Sequence, residues 1–364
     1  MGVAGRLGGL LVRRIGDGPI RVMIVDDSSV ARAVLSRMLD PHEDIEVAAL
    51  AGSAAEALEL LKAVQVDVIL LDIEMPRVSG LDALPDILRA GAGARVLIVS
   101  SLAEEGAEAT VKALALGAAD TLPKPAVGAF GGRYSEILAE RLRQIGRVSR
   151  GSRSGAADAA DKFRLRAMPE TSPGCIAIGA STGGLQALNE FLPALPQRCG
   201  VPILVTQHLP DAFMAVFARQ LAVASGRAAI VADDGMALLA ERIHLAPGDA
   251  HLKVEREGGR VVARLDRAPA TSGCLPSVDP MLASVAEIYR AGAVGVVLSG
   301  MGRDGLEGAR RVIASGGSIL AQDRFSSAVW GMPRGVAEAG LASAVLAPAD
   351  LARRLSARLE APRR

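Results

Sequence analysis

Aromatic side chains are scarce, at 2% of 364 residues, too few for a surface on which nucleic-acid bases stack. Charge of one sign is lacking as well. With 41 basic and 40 acidic side chains the net charge is +1, so no global field draws the chain to nucleic acid or to an anionic membrane. Cysteine appears three times, at Cys175, Cys199 and Cys274, an odd number without metal-ligand spacing; buried, reduced thiols of a cytoplasmic protein are the expectation. No apolar run reaches membrane length without Gly, Ser, Thr, Pro or a charge interrupting it, which excludes membrane insertion by a helix. The opening "MGVAGRLGGLLVRRIGDG" is too short in its apolar part for a secretory signal, and Arg6 spoils the myristoylation pattern. Residues 1–18 are expected to be a disordered leader.

Half of the residues are hydrophobic, enough for sizeable cores in two or three domains. From Ile20 short apolar runs alternate with helical periods: "IRVMIVDD", "VDVILLD", "RVLIVSS" and "AADTLPKP" read as strands. After the first, Val30, Val34, Leu35 and Met38 share a helical face, with Ser28 or Ser29 as the cap. Strands alternating with helices predict a parallel, doubly wound sheet over 19–140. Residues 141–172 lose the periodicity; eight Arg or Lys stand there against three acids, reading as a solvated linker with helical ends. If flexible, its span is about 30 Å, short enough to let the two halves touch. A second α/β domain is expected over 173–358, with "CIAIG", "VPILVTQ", "AAIVA", "VGVVLSG" and "GGSILA" as strands. The stretch "RIHLAPGDAHLKVEREGGRVVARLD" alternates about "EGGR" and predicts an added hairpin on the sheet.

In the first half, Asp26 and Asp27 close one strand, Asp72 another, Ser100 a third, and Lys124 follows a fourth. In a parallel sheet these ends share one edge, where ligands bind. One aspartate at a strand end is ordinarily a helix cap; four strand ends in agreement are not. Three neighbouring carboxylates repel unless a divalent cation neutralises them, and an all-oxygen set points to Mg²⁺. The motifs "VDDS", "LLDIEMP", "VSS" and "LPKP", in that order, resemble the receiver domain of two-component response regulators, with a flavodoxin-like fold. The resemblance implies that Asp72 takes a phosphoryl group from a histidine kinase. It implies too that Asp26, Asp27, Asp72 and the backbone carbonyl of Glu74 hold Mg²⁺. Ser100 and Lys124 would contact the phosphoryl oxygens, with Lys124–Pro125 cis. Thr121 stands where such receivers usually carry an aromatic residue.

In the second half, Gly179, Ser181 and Gly183 fit G-x-S-x-G after a strand, the spacing of a nucleophile turn. The same glycines suit a phosphate-binding helix start. A dinucleotide fold lacks its acidic residue about 20 positions on, since "VPILVTQH" ends in Gln207 and His208; and neither Tyr134 nor Tyr289 has a lysine four residues later. His208 follows one strand and Asp304 sits in the glycine-rich loop after another. Each alone is ordinarily a turn or structural residue. Together with Ser181 they can meet at one sheet edge, where a histidine activates the weakly nucleophilic hydroxyl and a carboxylate fixes the imidazole. Backbone N–H groups near Thr182, or at Met301, are the candidate oxyanion donors. A metal site from His244 and His251 lacks a third ligand motif.

The stretches "IGASTGG", "TQHLPDAF", "LAPGDAHL", "PSVDPML", "LSGMGRDG" and "AVWGMPRGVAEAG" resemble the catalytic domain of the chemotaxis protein-glutamate methylesterase (CheB) family, and the receiver completes that family's domain order. The resemblance implies phosphorylation-activated hydrolysis of glutamyl γ-methyl esters on methyl-accepting chemoreceptors by Ser181, His208 and Asp304. Thr182 and Met301 would serve at the oxyanion site, deamidation of receptor glutamines is a further activity of some members, and the esterase needs no cofactor. Leu275 stands where an arginine is common. The expected protein is a monomer whose partners are chemoreceptors and a histidine kinase, not nucleic acid. The alternative is a phosphorylation-gated binding protein with a silent esterase fold. A DNA-binding regulator would want a helix-turn-helix and a basic reading face, and neither is present.

Overall fold

The computed structural model describes residues 18–100, 104–124, 132–153 and 163–359; the expected leader, apart from its last residue, and the middle of the expected linker lie outside them, as does Pro125. In the first domain the order is β1 (Ile20–Val25), α1 (Ser29–Leu39), β2 (Ile45–Ala51), α2 (Ala54–Leu61), β3 (Val68–Asp72), α3 (Gly80–Ala90), β4 (Arg95–Ser100), α4 (Glu104–Ala115), β5 (Asp120–Pro123) and α5 (Gly132–Arg153). The five strands are all parallel, in the order β2-β1-β3-β4-β5. Ser28 caps α1, its hydroxyl accepting from the Ala31 N–H at 3.2 Å. The buried face of α1 is Leu35 and Leu39, while Val30 points to solvent, so the face predicted from Val30 to Met38 is rotated. The strand β2 escaped prediction because it is Ala-rich, half-exposed and at the sheet edge, without the continuous apolar run of β3. The helix α5 carries on past residue 140, so the expected linker begins as helix.

The second domain continues with β6 (Cys175–Ala180), α6 (Gly184–Phe191), β7 (Ile203–Gln207), α7 (Asp211–Ser225), β8 (Ala229–Val231), β9 (Ile243–Leu245), β10 (His251–Glu257), β11 (Arg260–Asp266), α8 (Val278–Tyr289), β12 (Ala293–Val297), α9 (Leu306–Ala314), β13 (Ser318–Gln322), α10 (Met332–Glu338), β14 (Ala342–Leu346) and α11 (Pro348–Leu359). Its seven parallel strands run β14-β13-β12-β6-β7-β9-β8. The hairpin exists, as β10 and β11 turning at Gly258 and Gly259, but it forms its own two-stranded sheet against α8. "RIHL" is not part of it: Ile243–Leu245 is a strand of the main sheet, taking His244 into the core.

The order in which strands are added reverses at β6, with β7 on one side and β12 on the other. That is the topological switch point, where the loops diverge and leave a crevice at the carboxyl ends of the strands. The crevice holds the residues following β6, β7 and β12. The helix α8 lies tight beneath it: a Cβ on Gly179 would fall 2.4 Å from Val278 Cγ1.

The two domains are packed together. Val111 and Leu114 of α4 belong to one continuous apolar core with Leu185 of α6 and Phe213 of α7. On the other side, Val329 and Met301 join the receiver cluster of Leu122, Leu138 and Leu142.

Candidate active site and receiver site

Ser181 is the first residue beyond β6 and His208 the first beyond β7, and the preceding residues, Ala180 and Gln207, are register partners. The His208 N–H donates to Ala180 O at 3.1 Å, so the two side chains leave adjacent strands at the same level. Ser181 is pinned by its own N–H to Ser299 O at 3.0 Å and by Gln207 Nε2 on its carbonyl at 2.8 Å. The turn then passes through Gly183, at φ 74° and the N-cap of α6. A Cβ there would sit 2.3 Å from Ala328 Cβ and 2.9 Å from Ser299 Oγ, so only glycine satisfies both the left-handed backbone and the close approach.

Asp304 comes in from the loop after β12. His208 Nε2 lies 2.8 Å from Asp304 Oδ2. The same oxygen accepts the Val278 N–H at 2.8 Å, while Oδ1 accepts from Ser277 Oγ at 2.7 Å, Gly305 N at 3.0 Å and Asp279 N at 3.2 Å. The carboxylate therefore sits on the amino end of α8, where free N–H groups and the helix dipole favour an anion. Burial alone would raise its pKa, but the histidine and these donors outweigh burial and hold it low. Asp279, next to it, moves the opposite way: burial and the Asp304 charge raise it, against the pull of the Gly308 N–H. For His208, burial disfavours the charged ring, but the Asp304 bond and the nearby thiol of Cys274 prevail and push its pKa up to about 9.

With Nε2 engaged by Asp304, Nδ1 is the nitrogen left to accept a proton. Among the described residues no hydrogen bond joins Ser181 Oγ to His208; catalytic hydrogen bonds of this kind commonly tighten only in the transition-state complex. Ser181 is 8% and Thr182 2% exposed, and the other domain closes on the turn directly after the serine. Gly183 N–H donates to Ala119 O at 2.8 Å, Thr182 Oγ1 donates to Asp120 Oδ2 at 2.6 Å, and Arg141 reaches both Asp120 and Thr182. Met301, the other candidate for the oxyanion site, is half-buried against the receiver cluster.

Several participants carry no sequence signal. Gln207 and Ser299 are polar residues ending apolar runs, like many others. Ser277 and His251 form a supporting chain: His251 Nδ1 accepts the Ser277 N–H at 2.9 Å, and its Nε2 lies 2.8 Å from Ala268 O. His251 is thus a buried scaffold residue, and His244 accepts the Leu239 N–H at 3.1 Å. Cys175 and Cys199 are buried as expected, but Cys274 is not: it is half-buried and stands beside His208 and Asp304. Leu275 is 50% exposed on the same loop.

The receiver site occupies the switch point of the first sheet, between β1 and β3. Oxygens of Asp26, Asp27 and Asp72 lie within 4.8 Å of one another. Lys124 Nζ is 2.7 Å from Asp72 Oδ2 and 3.2 Å from Asp26 Oδ2. Burial raises the Asp72 pKa, with the Asp26 charge adding to it and Lys124 pulling against it. For Lys124 burial acts downward, but the two carboxylates win and raise it. Three carboxylates crowd here against the single ammonium of Lys124, which ion-pairs the buried Asp26 Oδ2 and Asp72 Oδ2, an all-oxygen donor set with surplus negative charge that fits Mg²⁺. The Glu74 N–H lies 3.3 Å from Asp72 Oδ1, which sets Glu74 at the rim of the cluster. Ser100 ends β4 beside Pro123; its side chain lies outside the described residues. Thr121 is buried, its Oγ1 without a hydrogen bond. No helix among the described residues is long and apolar enough to cross a membrane.

Comparison with known proteins agrees on both halves. Residues 176–355 match the CheB methylesterase family model and 22–129 the response regulator receiver domain. A protein-glutamate methylesterase/protein-glutamine glutaminase of Caulobacter vibrioides is 43% identical, over 90% of this chain and 95% of its own. One of Paramagnetospirillum magneticum is 39% identical, over 92% of this chain and 94% of its own. The solved catalytic domain of the Thermotoga maritima CheB methylesterase is 36% identical, at a TM-score of 0.50, covering 51% of this chain and 99% of that one.

Proposed function

The chain belongs to the CheB methylesterase family, with a response regulator receiver domain before the esterase, and from that premise we propose how its residues carry the activity. The protein is a hydrolase, a phosphorylation-regulated methylesterase of chemotaxis. Its substrate is the γ-methyl ester of glutamate on chemoreceptors. Ser181 Oγ attacks the ester carbonyl as His208 Nδ1 takes its proton; His208 returns that proton to the departing methoxide, and methanol leaves an acyl-enzyme. Water, deprotonated by the same nitrogen, frees the glutamate and Ser181. Asp304 keeps the ring oriented and balances the imidazolium charge. Backbone N–H groups at Thr182 and Met301 face the carbonyl oxygen as it gains charge. A receptor glutamine passes through the same steps with ammonia as the leaving group.

The observation that carries this reading is the 2.8 Å His208–Asp304 contact one register step from Ser181. A silent binding protein has no use for a carboxylate held by four donors behind a histidine. The test is methanol release from methylated receptor membranes: Ser181→Ala is expected to abolish it, and near wild-type rates would remove Ser181 as nucleophile.

Regulation follows from the docked receiver. Asp72 accepts a phosphoryl group from a histidine kinase, with Lys124, and Ser100 at the neighbouring strand end, as phosphoryl contacts. Asp26, Asp27, Asp72 and the Glu74 carbonyl would hold Mg²⁺, which when bound neutralises the added phosphoryl charge. Lys124 follows directly on β5, and β5 opens with Asp120, the residue on Thr182. A shift of β5 on phosphorylation therefore bears directly on the contacts that cover the nucleophile turn, a two-state packing biased by a local charge change.

A further inference from the structure

We propose that His208, Asp304 and Cys274 form a binding site for a soft divalent metal ion of the Zn²⁺ class, and that occupancy switches the esterase off. The ring nitrogen, the carboxylate oxygen and the thiol sulfur all lie within 4.8 Å of one another, a nitrogen, oxygen and sulfur set that favours Zn²⁺ over the oxygen-seeking Mg²⁺. Cys274 is half-buried on a loop whose neighbours Thr271, Ser272, Gly273 and Leu275 are exposed, and His208 keeps 16% of its side chain accessible. An ion can therefore arrive while the receiver is docked. The remaining Asp304 contacts, from Ser277, Val278, Asp279 and Gly305, supply the outer hydrogen bonds that orient a ligating carboxylate. A fourth position stays open for water.

Inhibition follows from proton placement. The ion takes His208 Nε2, where the proton shared with Asp304 had been. The protonated ring loses its Nε2 proton to solvent and the neutral ring shifts it, so in either case the one proton left sits on Nδ1, the nitrogen that must accept the serine proton. The thiol of Cys274 releases its own proton to solvent on ligation, so binding weakens as the pH falls. Only the inhibitory consequence rests on the esterase reading; the site itself rests on the three side chains.

The test uses the full chain with Mg²⁺ in excess. Co²⁺ titrated as the probe is expected to give a thiolate-to-metal charge-transfer band, and Cys274→Ser to lose it. The all-oxygen receiver cluster cannot produce that band. Cys175 and Cys199 belong to no such cluster among the described residues. In the methanol assay, with each rate relative to that variant's own metal-free rate, Zn²⁺ should inhibit reversibly to a chelator, and Cys274→Ser should raise the half-inhibiting concentration by at least the roughly 10–100-fold that losing an outer partner costs. Absence of the band, or its persistence in Cys274→Ser, overturns the site whatever the enzyme does. A band with unaltered Zn²⁺ sensitivity overturns the switch.

Discussion

His208 is poised between burial and its partners, and its chemistry depends on which prevails. A general base must be neutral to act, so a pKa pushed up to about 9 leaves most of the ring protonated at neutral pH. The methanol-release rate should therefore rise with pH across the neutral range, with its ascending limb well above the 6.5 of an ordinary histidine. Asp304→Asn removes one of the interactions that raise the pKa, so the limb should move down while the rate falls about 10⁴-fold; a limb that stays in place would assign the shift elsewhere. Ser181→Ala removes the nucleophile and should cost at least as much. Ser181 and His208 were legible because each follows an apolar run directly, and in a parallel sheet such positions share an edge. Cys274 was not: nothing within its own stretch distinguishes a thiol facing solvent from one facing an imidazole 66 positions earlier.

The nucleophile turn is an element built on one backbone constraint. Gly183→Ala would force a side chain into φ 74° and against Ala328, with an expected loss of about 1–3 kcal/mol in denaturant unfolding. Beside it, β5 and the residues flanking it serve both domains: Ala119 and Asp120 hold the turn at one end and Lys124 meets Asp72 at the other. A hydrogen bond to a charged group contributes about 1.5–3 kcal/mol. Asp120→Ala should then raise the rate without phosphodonor roughly tenfold; an unchanged rate would show that the remaining interdomain contacts hold the domains together without it. The strands β2 and β14 were illegible for one reason. Both lie at sheet edges and are rich in alanine, so neither has the long buried run that marks a central strand.

Two domains share one apolar core, and the regulation belongs to that assembly as a whole. A chain beginning at Ser172 should outpace the full-length protein in the absence of phosphodonor, and equal rates would remove inhibition by docking. Chelating Mg²⁺ should abolish activation by a small phosphodonor and leave the unactivated rate in place, because among the described residues the receiver cluster is the all-oxygen one. The sequence by itself determined the two parallel sheets, the strand ends that carry Asp26, Asp72, Ser181, His208 and Asp304, and the order of the domains, since buried parallel strands write themselves as apolar runs with chemistry at their ends. Only the tertiary structure decided that Asp304 rests on the amino end of α8, that Cys274 stands beside it, and that Asp120 closes on Thr182. Those contacts join residues 26, 30 and 62 positions apart, and their energies come from burial and helix dipoles that exist only once the chain has folded.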